Sequence, residues 1–263
     1  MNNKPNRTAG ALRIWGLLLL ALTGRVQGQD YNYKTNGNAI TIAKYIGAGG
    51  AVAIPEQING LPVATIGYWA FGFCTNLTNV TLPTSVTSIG TLAFTYCTNL
   101  TNVTLPTSVT CIERYAFAGC SSLTGITIPN GVTNIGKYTF SGCASLTNVT
   151  LPNSVTSIGS GVFDHCANLT RITIPSGVTA IGTAAFNGCG NLPSITIPNS
   201  VTNIADEAFR GCTNLTGIYF KGNAPSLGSA VFADADKVTI YYLSESKGWT
   251  EMFGYRRTAV WKQ

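Results

Sequence analysis

LTNVTLPTSVTSIGTLAFTYCTN, residues 77–99, decides the fold of this chain. It is followed without a gap by LTNVTLPTSVTCIERYAFAGCSS (100–122), LTGITIPNGVTNIGKYTFSGCAS (123–145), LTNVTLPNSVTSIGSGVFDHCAN (146–168), LTRITIPSGVTAIGTAAFNGCGN (169–191) and LPSITIPNSVTNIADEAFRGCTN (192–214). A degenerate copy, LTGIYFKGNAPSLGSAVFADADK, fills 215–237. Upstream, Val63, Ile66, Phe71 and Cys74 keep the same phase, and five extra residues separate Pro55 from it.

Within 77–99 the large apolar residues are Leu77, Val80, Leu82, Val86, Ile89 and Phe94. Burying these few side chains cannot offset the conformational entropy of ordering the whole unit, so one unit does not stand alone. Stacking covers each apolar layer with the next and adds hydrogen bonds between coils. A fixed period in this range, headed by Leu-x-x-Val-x-Leu, marks a leucine-rich-repeat solenoid. The expected fold is a β-rich leucine-rich-repeat solenoid, with parallel strands stacked coil on coil, short helical turns, and a cap at both ends. Val80-Thr81-Leu82 alternates in-out-in and reads as a strand whose copies form a parallel sheet. Pro83 and its copies Pro106, Pro129, Pro152, Pro175 and Pro198 have no N–H to donate and close each strand at a corner. Val86 and Ile89 turn inward on the next side, and Gly90 makes the following turn. Ala93-Phe94-x-x-Cys97 has the spacing of one helical turn aiming Phe94 and Cys97 inward.

The shared core LTxVTIPxSVTxIGxxAFxxC, nearly intact from 77 to 214, closely resembles the BspA-like bacterial surface leucine-rich repeats. The resemblance covers about residues 51–243. It implies an exported solenoid, in a family where some members are implicated in adhesion to host matrix proteins or other cells. It supplies no fixed set of functional residues to carry over.

Outside the repeat, residues 1–28 read as a secretory signal. Lys4, Arg7 and Arg13 precede a short apolar run, Ile14 to Leu22, and Val26-Gln27-Gly28 forms a cleavage site before Gln29. The run is too short to cross a bilayer. Residues 29–54 are expected as an N-terminal cap with a hairpin signal at Asn36-Gly37, 55–237 as the solenoid, and 238–263 as a C-terminal cap carrying Tyr241, Trp249, Phe253 and Trp261. These readings place the chain outside the cytoplasm: secreted or at the cell surface, with the periplasm as the alternative, and with no membrane span in the mature chain.

Composition narrows the function classes. Of 263 residues only 10% are charged, and the net charge of +6 rests largely on Lys4, Arg7, Arg13 and Arg25. Without those four, 12 basic residues face 10 acidic ones, and no basic run remains to follow a nucleic-acid backbone. No phosphate loop, metal motif or nucleophile elbow is present, so no cofactor and no catalysis are expected. The single histidine, His165, stands beside Asp164 at a variable turn position whose counterparts are Phe73, Tyr96, Gly119, Gly142, Gly188 and Gly211. It reads as a solvated side chain without a paired nucleophile.

Seven cysteines recur in phase, at 74, 97, 120, 143, 166, 189 and 212. Copies in adjacent coils should stand about 4.8 Å apart with parallel side chains, which suits a buried thiol ladder better than disulfides. Cys111 takes an outward position as either a reactive thiol or a substitution without a role.

The outward strand positions form a polar row, Thr81, Thr104, Thr127, Thr150, Thr173, Thr196 and Tyr219. Beside it run Asn79, Asn102, Gly125, Asn148, Arg171, Ser194 and Gly217. Threonine suits an exposed strand and needs no function there. The same sheet is also the broad surface on which a solenoid holds a partner, and Arg171 and Tyr219 break its monotony. The leading functional reading is a non-catalytic binding or adhesion protein for an extracellular protein or glycan. The alternatives are a structural or surface-layer component that self-associates, and ice or crystal-surface binding by the threonine row. An enzyme centred on His165 ranks last.

Overall fold

A computed structural model describes residues 30–262; the signal sequence expected at 1–28 lies outside them. Each coil of the solenoid has three sides. The first is the strand that follows the leading leucine. Leu77–Thr81 pairs parallel with Asn102–Thr104, placing Asn79 opposite Asn102, Val80 opposite Val103 and Thr81 opposite Thr104. The same 23-residue register joins Gly125–Thr127, Asn148–Thr150 and Arg171–Ile172, and then Ser194–Ile197 with Gly217–Phe220. The prolines stand at the corner after this side, where the carbonyls of Pro83, Pro106 and Pro129 accept from the amides of Val86, Val109 and Val132.

The second side is a ladder of two-residue strands, among them Ser88–Ile89, Cys111–Ile112, Ser157–Ile158, Ala180–Ile181 and Asn203–Ile204. These too pair parallel, with Ile89 opposite Ile112 and Ile181 opposite Ile204. Glycine follows because neighbouring coils meet closely there. A Cβ on Gly136 would lie 2.4 Å from the Arg114 amide nitrogen.

The third side differs from the helical turn that the Ala93-Phe94-x-x-Cys97 spacing suggests. It is a run of turns, and no described residue is helical. The amides of Leu92, Phe94 and Tyr96 donate to the next coil, to the carbonyls of Arg114, Ala116 and Ala118. The amides of Ala93, Thr95 and Cys97 donate three residues back, to Gly90, Leu92 and Phe94. This alternation satisfies both directions at once, and it requires left-handed residues at Leu92 (φ 60°) and Tyr96 (φ 53°).

Inside, side chains from all three sides stack coil upon coil in one continuous apolar core from Tyr31 to Ile240. Its spine is a column of phenylalanines. Phe94 and Phe117 stack at 5.2 Å with rings 1° from parallel, and Phe117 and Phe140 at 5.7 Å. Tyr45 covers the first ring of the column, stacking on Phe71 at 4.9 Å.

Both ladders reach into the flanking segments. Tyr31–Asn36 and Ala39–Tyr45 form an antiparallel hairpin, turning at Gly37 with φ 60°. Its inner strand pairs parallel with Leu61–Ile66, and Gly50–Ala53 pairs parallel with Leu77–Thr81. The five extra residues before the repeat phase fold as a small hairpin, Gln57–Ile58 against Leu61–Ile66, around Asn59 and Gly60, both left-handed. At the other end Thr239–Tyr242 and Arg256–Val260 extend the first-side sheet in parallel. Trp249 closes the apolar interior, its ring 4.8 Å from Phe220, 4.8 Å from Phe253 and 5.2 Å from Tyr242.

Candidate functional site

The first-side sheet places the expected row on one surface. Thr81, Thr104, Thr127, Thr150, Thr173 and Thr196 are all exposed, and so is Arg171. Two classes of threonine separate here by their bonding. Thr87, Thr101, Thr110, Thr124, Thr147 and Thr170, elsewhere in the coils, donate their hydroxyls to carbonyls of the preceding coil. Among the described residues, no side-chain hydrogen bond engages the six threonines of the strand row. Their hydroxyls face outward with bonding capacity unused by the fold.

The surface is corrugated where the proline corners rise beside the sheet. One groove of about 460 Å³ is bordered by Arg171, Thr173, Ser194, Thr196 and Asn199, with Lys221 at its edge. Neither the Arg171 guanidinium nor the Lys221 ammonium has a hydrogen-bond or ion-pair partner among the described residues. A similar groove of about 510 Å³ lies between Thr104, Thr107, Thr127 and Asn148.

Tyr219 is half-buried rather than a free platform. Its ring stacks on Tyr241 at 4.8 Å and 9°, and Trp261 meets it at 5.1 Å and 55°. It also folds back over Gly217, where a Cβ would lie 2.9 Å from its Cε2. The register explains the grouping, since Thr196, Tyr219 and Tyr241 follow one another across the sheet. The structure therefore joins Tyr219 to two aromatics that the sequence offers only as parts of a cap.

His165 is bonded to its neighbour, with Nδ1 2.8 Å from Asp164 Oδ1. Asp164 also accepts from Asn187 Nδ2 at 2.8 Å and from the Ser141 hydroxyl at 3.3 Å. The cluster ties three coils together. Among the described residues no hydrogen bond engages the His165 Nε2.

The in-phase thiols are free and, from Cys97 to Cys212, buried, while Cys111 is exposed. Each buried thiol donates to a phenylalanine carbonyl of the preceding coil: Cys97 to Phe71, Cys120 to Phe94 and Cys166 to Phe140, at 3.1–3.2 Å. Burial raises the thiols of Cys120, Cys143, Cys166, Cys189 and Cys212 above their ordinary value, which keeps them protonated and unreactive.

Sequence reasoning missed the turn side. Tyr68, Trp69, Phe73, Tyr96 and Tyr115 are exposed there on neighbouring coils. The signal was present in the variable positions around each Ala-Phe-x-x-Cys, and it shows only when these are aligned down the coils.

Comparison with known proteins agrees with this architecture. The family model of the BspA type leucine-rich-repeat region, in six copies, matches residues 54–152 and 133–248. The chain is similar to the solved leucine-rich-repeat protein of T. pallidum, with 35% identity, a TM-score of 0.58, and 80% of this chain and 88% of that one covered. It is also similar to a leucine-rich cell surface protein of Faecalibacterium prausnitzii, with 29% identity, a TM-score of 0.53, and coverage of 82% and 75%. The pneumococcal vaccine antigen PcpA shares the fold, at 20% identity and a TM-score of 0.59, over 82% of this chain and 69% of that one. The comparison with curated proteins found no match.

Proposed function

The chain belongs to the BspA-type leucine-rich-repeat family, and from that premise we propose that it is an exported, non-catalytic binding or adhesion protein. It holds an extracellular protein or glycan on the first-side sheet, and it acts in the secreted or surface-attached state. The observation that carries this reading is the contrast between the two threonine classes. The fold uses the hydroxyls of the other rows to link coils and leaves the strand row, with Arg171 beside it, free for an outside partner. Multipoint hydrogen bonding along such a row suits an extended ligand, with Arg171 as a charge-assisted donor and the Tyr219–Tyr241–Trp261 cluster as an aromatic anchor. Among the described residues no helix is long and apolar enough to cross a membrane.

The test is capture of immobilised matrix proteins and surface glycans by the purified chain. The binder found is then compared on Arg171→Ala, Tyr219→Ala and, as a remote control, Lys34→Ala. A true hot spot on the sheet loses about 2 kcal/mol or more on truncation. Binding that survives both sheet substitutions assigns the function to another surface. Concentration-dependent self-association without any ligand favours the structural, surface-layer alternative.

A further inference from the structure

The turn side carries a second surface. Every turn segment holds two left-handed residues four apart, and glycine takes the second site at 119, 142, 188 and 211. Glycine is the residue that this conformation favours. In the first coils both sites are instead large, Trp69 with Phe73 and Leu92 with Tyr96, and Tyr115 and Tyr138 continue the first column. Trp69 meets Phe73 edge-on at 6.0 Å, Phe73 stacks on Tyr96 at 5.0 Å, and Tyr115 stacks on Tyr138 at 5.1 Å. Of the nine large exposed hydrophobic residues among those described, Tyr68, Trp69, Phe73, Tyr96 and Tyr115 gather here.

Where the Phe73–Tyr96 stack ends, its column continues as Gly119 and Gly142. The Tyr96 ring leans over Gly119, where a Cβ would lie 2.6 Å from its Cδ1. The bare glycines leave a trough of about 810 Å³, lined by the rings of Tyr68, Tyr96 and Tyr115 and by Thr98, Ser121 and Ser141. Arg114 is the one charged residue of the lining, and no carboxylate belongs to it. Among the described residues the Arg114 side chain has no hydrogen-bond or ion-pair partner. Glu113 next to it is turned to Thr91, accepting from its amide at 2.9 Å and its hydroxyl at 2.6 Å. Lys137 follows Arg114 one coil on, and Lys44 sits 4.9 Å above the Trp69 ring.

We propose that this trough binds an acidic glycan, an oligosaccharide bearing uronate carboxylates. The C–H faces of its pyranose rings pack on the tyrosines, and its hydroxyls donate to the Ser121 and Ser141 oxygens, whose own protons go to the Thr98 carbonyl and to Asp164. A carboxylate takes the free Arg114 fork. Charge complementarity selects the acidic class over a neutral one, because Arg114 is unpaired, whereas the two carboxylates that touch the lining are already bonded, Glu113 to Thr91 and Asp164 to Ser141, Asn187 and His165. An extended peptide fits less well. The turn amides that would receive it already donate within and between coils, so no open strand edge faces the trough. The trough crosses four coils, roughly 14 Å at the ~4.8 Å spacing of parallel strands, a length for a short oligosaccharide.

The test is calorimetric titration of the full chain with a galacturonate hexasaccharide, with cellohexaose as the neutral control. The acidic probe binds and the neutral one binds at least tenfold more weakly. Tyr96→Gly and Arg114→Gln each weaken the acidic probe at least tenfold, Tyr96→Phe retains binding, and rising salt erodes the Arg114 contribution. Because Tyr96 is left-handed, glycine is admissible there, and circular dichroism verifies that the variant folds. Lys34→Ala, remote from both surfaces, leaves this binding unchanged. No uronate binding, or binding that survives both Tyr96→Gly and Arg114→Gln, overturns the proposal. Loss on Arg171→Ala alone moves the ligand to the strand face, overturning this site while sparing the reading of that face. Protein capture that depends on Tyr96, with no uronate binding, also overturns it.

Discussion

The Cys143 thiol donates to the backbone carbonyl oxygen of Phe117 at 3.2 Å. The same oxygen receives the Cys120 amide at 3.2 Å, so one carbonyl serves its own coil and the next. Repeated from Cys97 to Cys212, this bond explains why the in-phase residue is cysteine. It must be small and apolar enough for the core, yet carry a donor for a second lone pair.

Thiol chemistry should separate the two kinds of cysteine. In the native chain Cys111 reacts quickly with an aromatic disulfide reagent, the half-buried Cys74 slowly, and the six buried thiols not at all. After denaturation without reductant all 8 cysteines titrate. Fewer than seven free groups would show that disulfides link the coils.

The ladder also sets an alkaline limit. Burial pushes Cys143 and Cys212 up to about 12 from 9.0, and raises Cys120, Cys166 and Cys189 as well. Below about pH 9 folded and unfolded chains both keep these protons, and stability is fully present. Above it the unfolded chain ionises first and binds fewer protons, so stability falls by about 1.4 kcal/mol per pH unit for each thiol. The loss continues until the folded thiols ionise, near 12 for Cys143 and Cys212. For these five thiols together the slope is about 7 kcal/mol per unit, against a total stability of about 5–15 kcal/mol for an ordinary domain. Circular dichroism should show unfolding within one or two units above about pH 9. A native signal unchanged at pH 12 contradicts the prediction.

Replacing the donor tests its geometry. Cys143→Ser keeps a hydroxyl facing Phe117 and should cost about 1–3 kcal/mol, mainly from burying a more polar group. Cys143→Leu overfills the site and should cost at least as much. Urea denaturation measures both, and a serine variant as stable as the parent would show that the site tolerates polarity freely.

The phenylalanine column predicts a larger loss. Phe140 is fully buried between Phe117 at 5.7 Å and Phe163 at 5.8 Å. Phe140→Ala should destabilise by about 3–5 kcal/mol, because the layers on both sides lose contact with the ring. A loss below about 1 kcal/mol would mean that the coils collapse into the cavity.

At the C-terminal end an arginine takes the thiol's place. Arg256 Nη2 donates to the Phe232 carbonyl at 2.6 Å and lies 2.9 Å from Asp236 Oδ1. Arg256→Ala should cost about 1.5–3 kcal/mol, the range for a charge-assisted bond. Asp236→Asn should cost less, since that carboxylate is exposed. Equal losses would show that the ion pair, not the carbonyl bond, closes the end.

The repeat by itself determined which residues face inward. Leu77, Val80, Ile89, Phe94 and Cys97 recur in phase, and only stacking in that phase buries them all, so the solenoid, its register and the outward threonine row follow from spacing alone. The turn side was decided by tertiary structure. The spacing of Phe94 and Cys97 fits a helical turn, but Leu92, Phe94 and Tyr96 must offer their amides to the next coil, and that demand exists only once two coils stand side by side. The same holds for what the surfaces can do. Tyr219 meets Tyr241 and Trp261, and Tyr96 overhangs Gly119, because coil-to-coil packing brings together residues some twenty to forty positions apart.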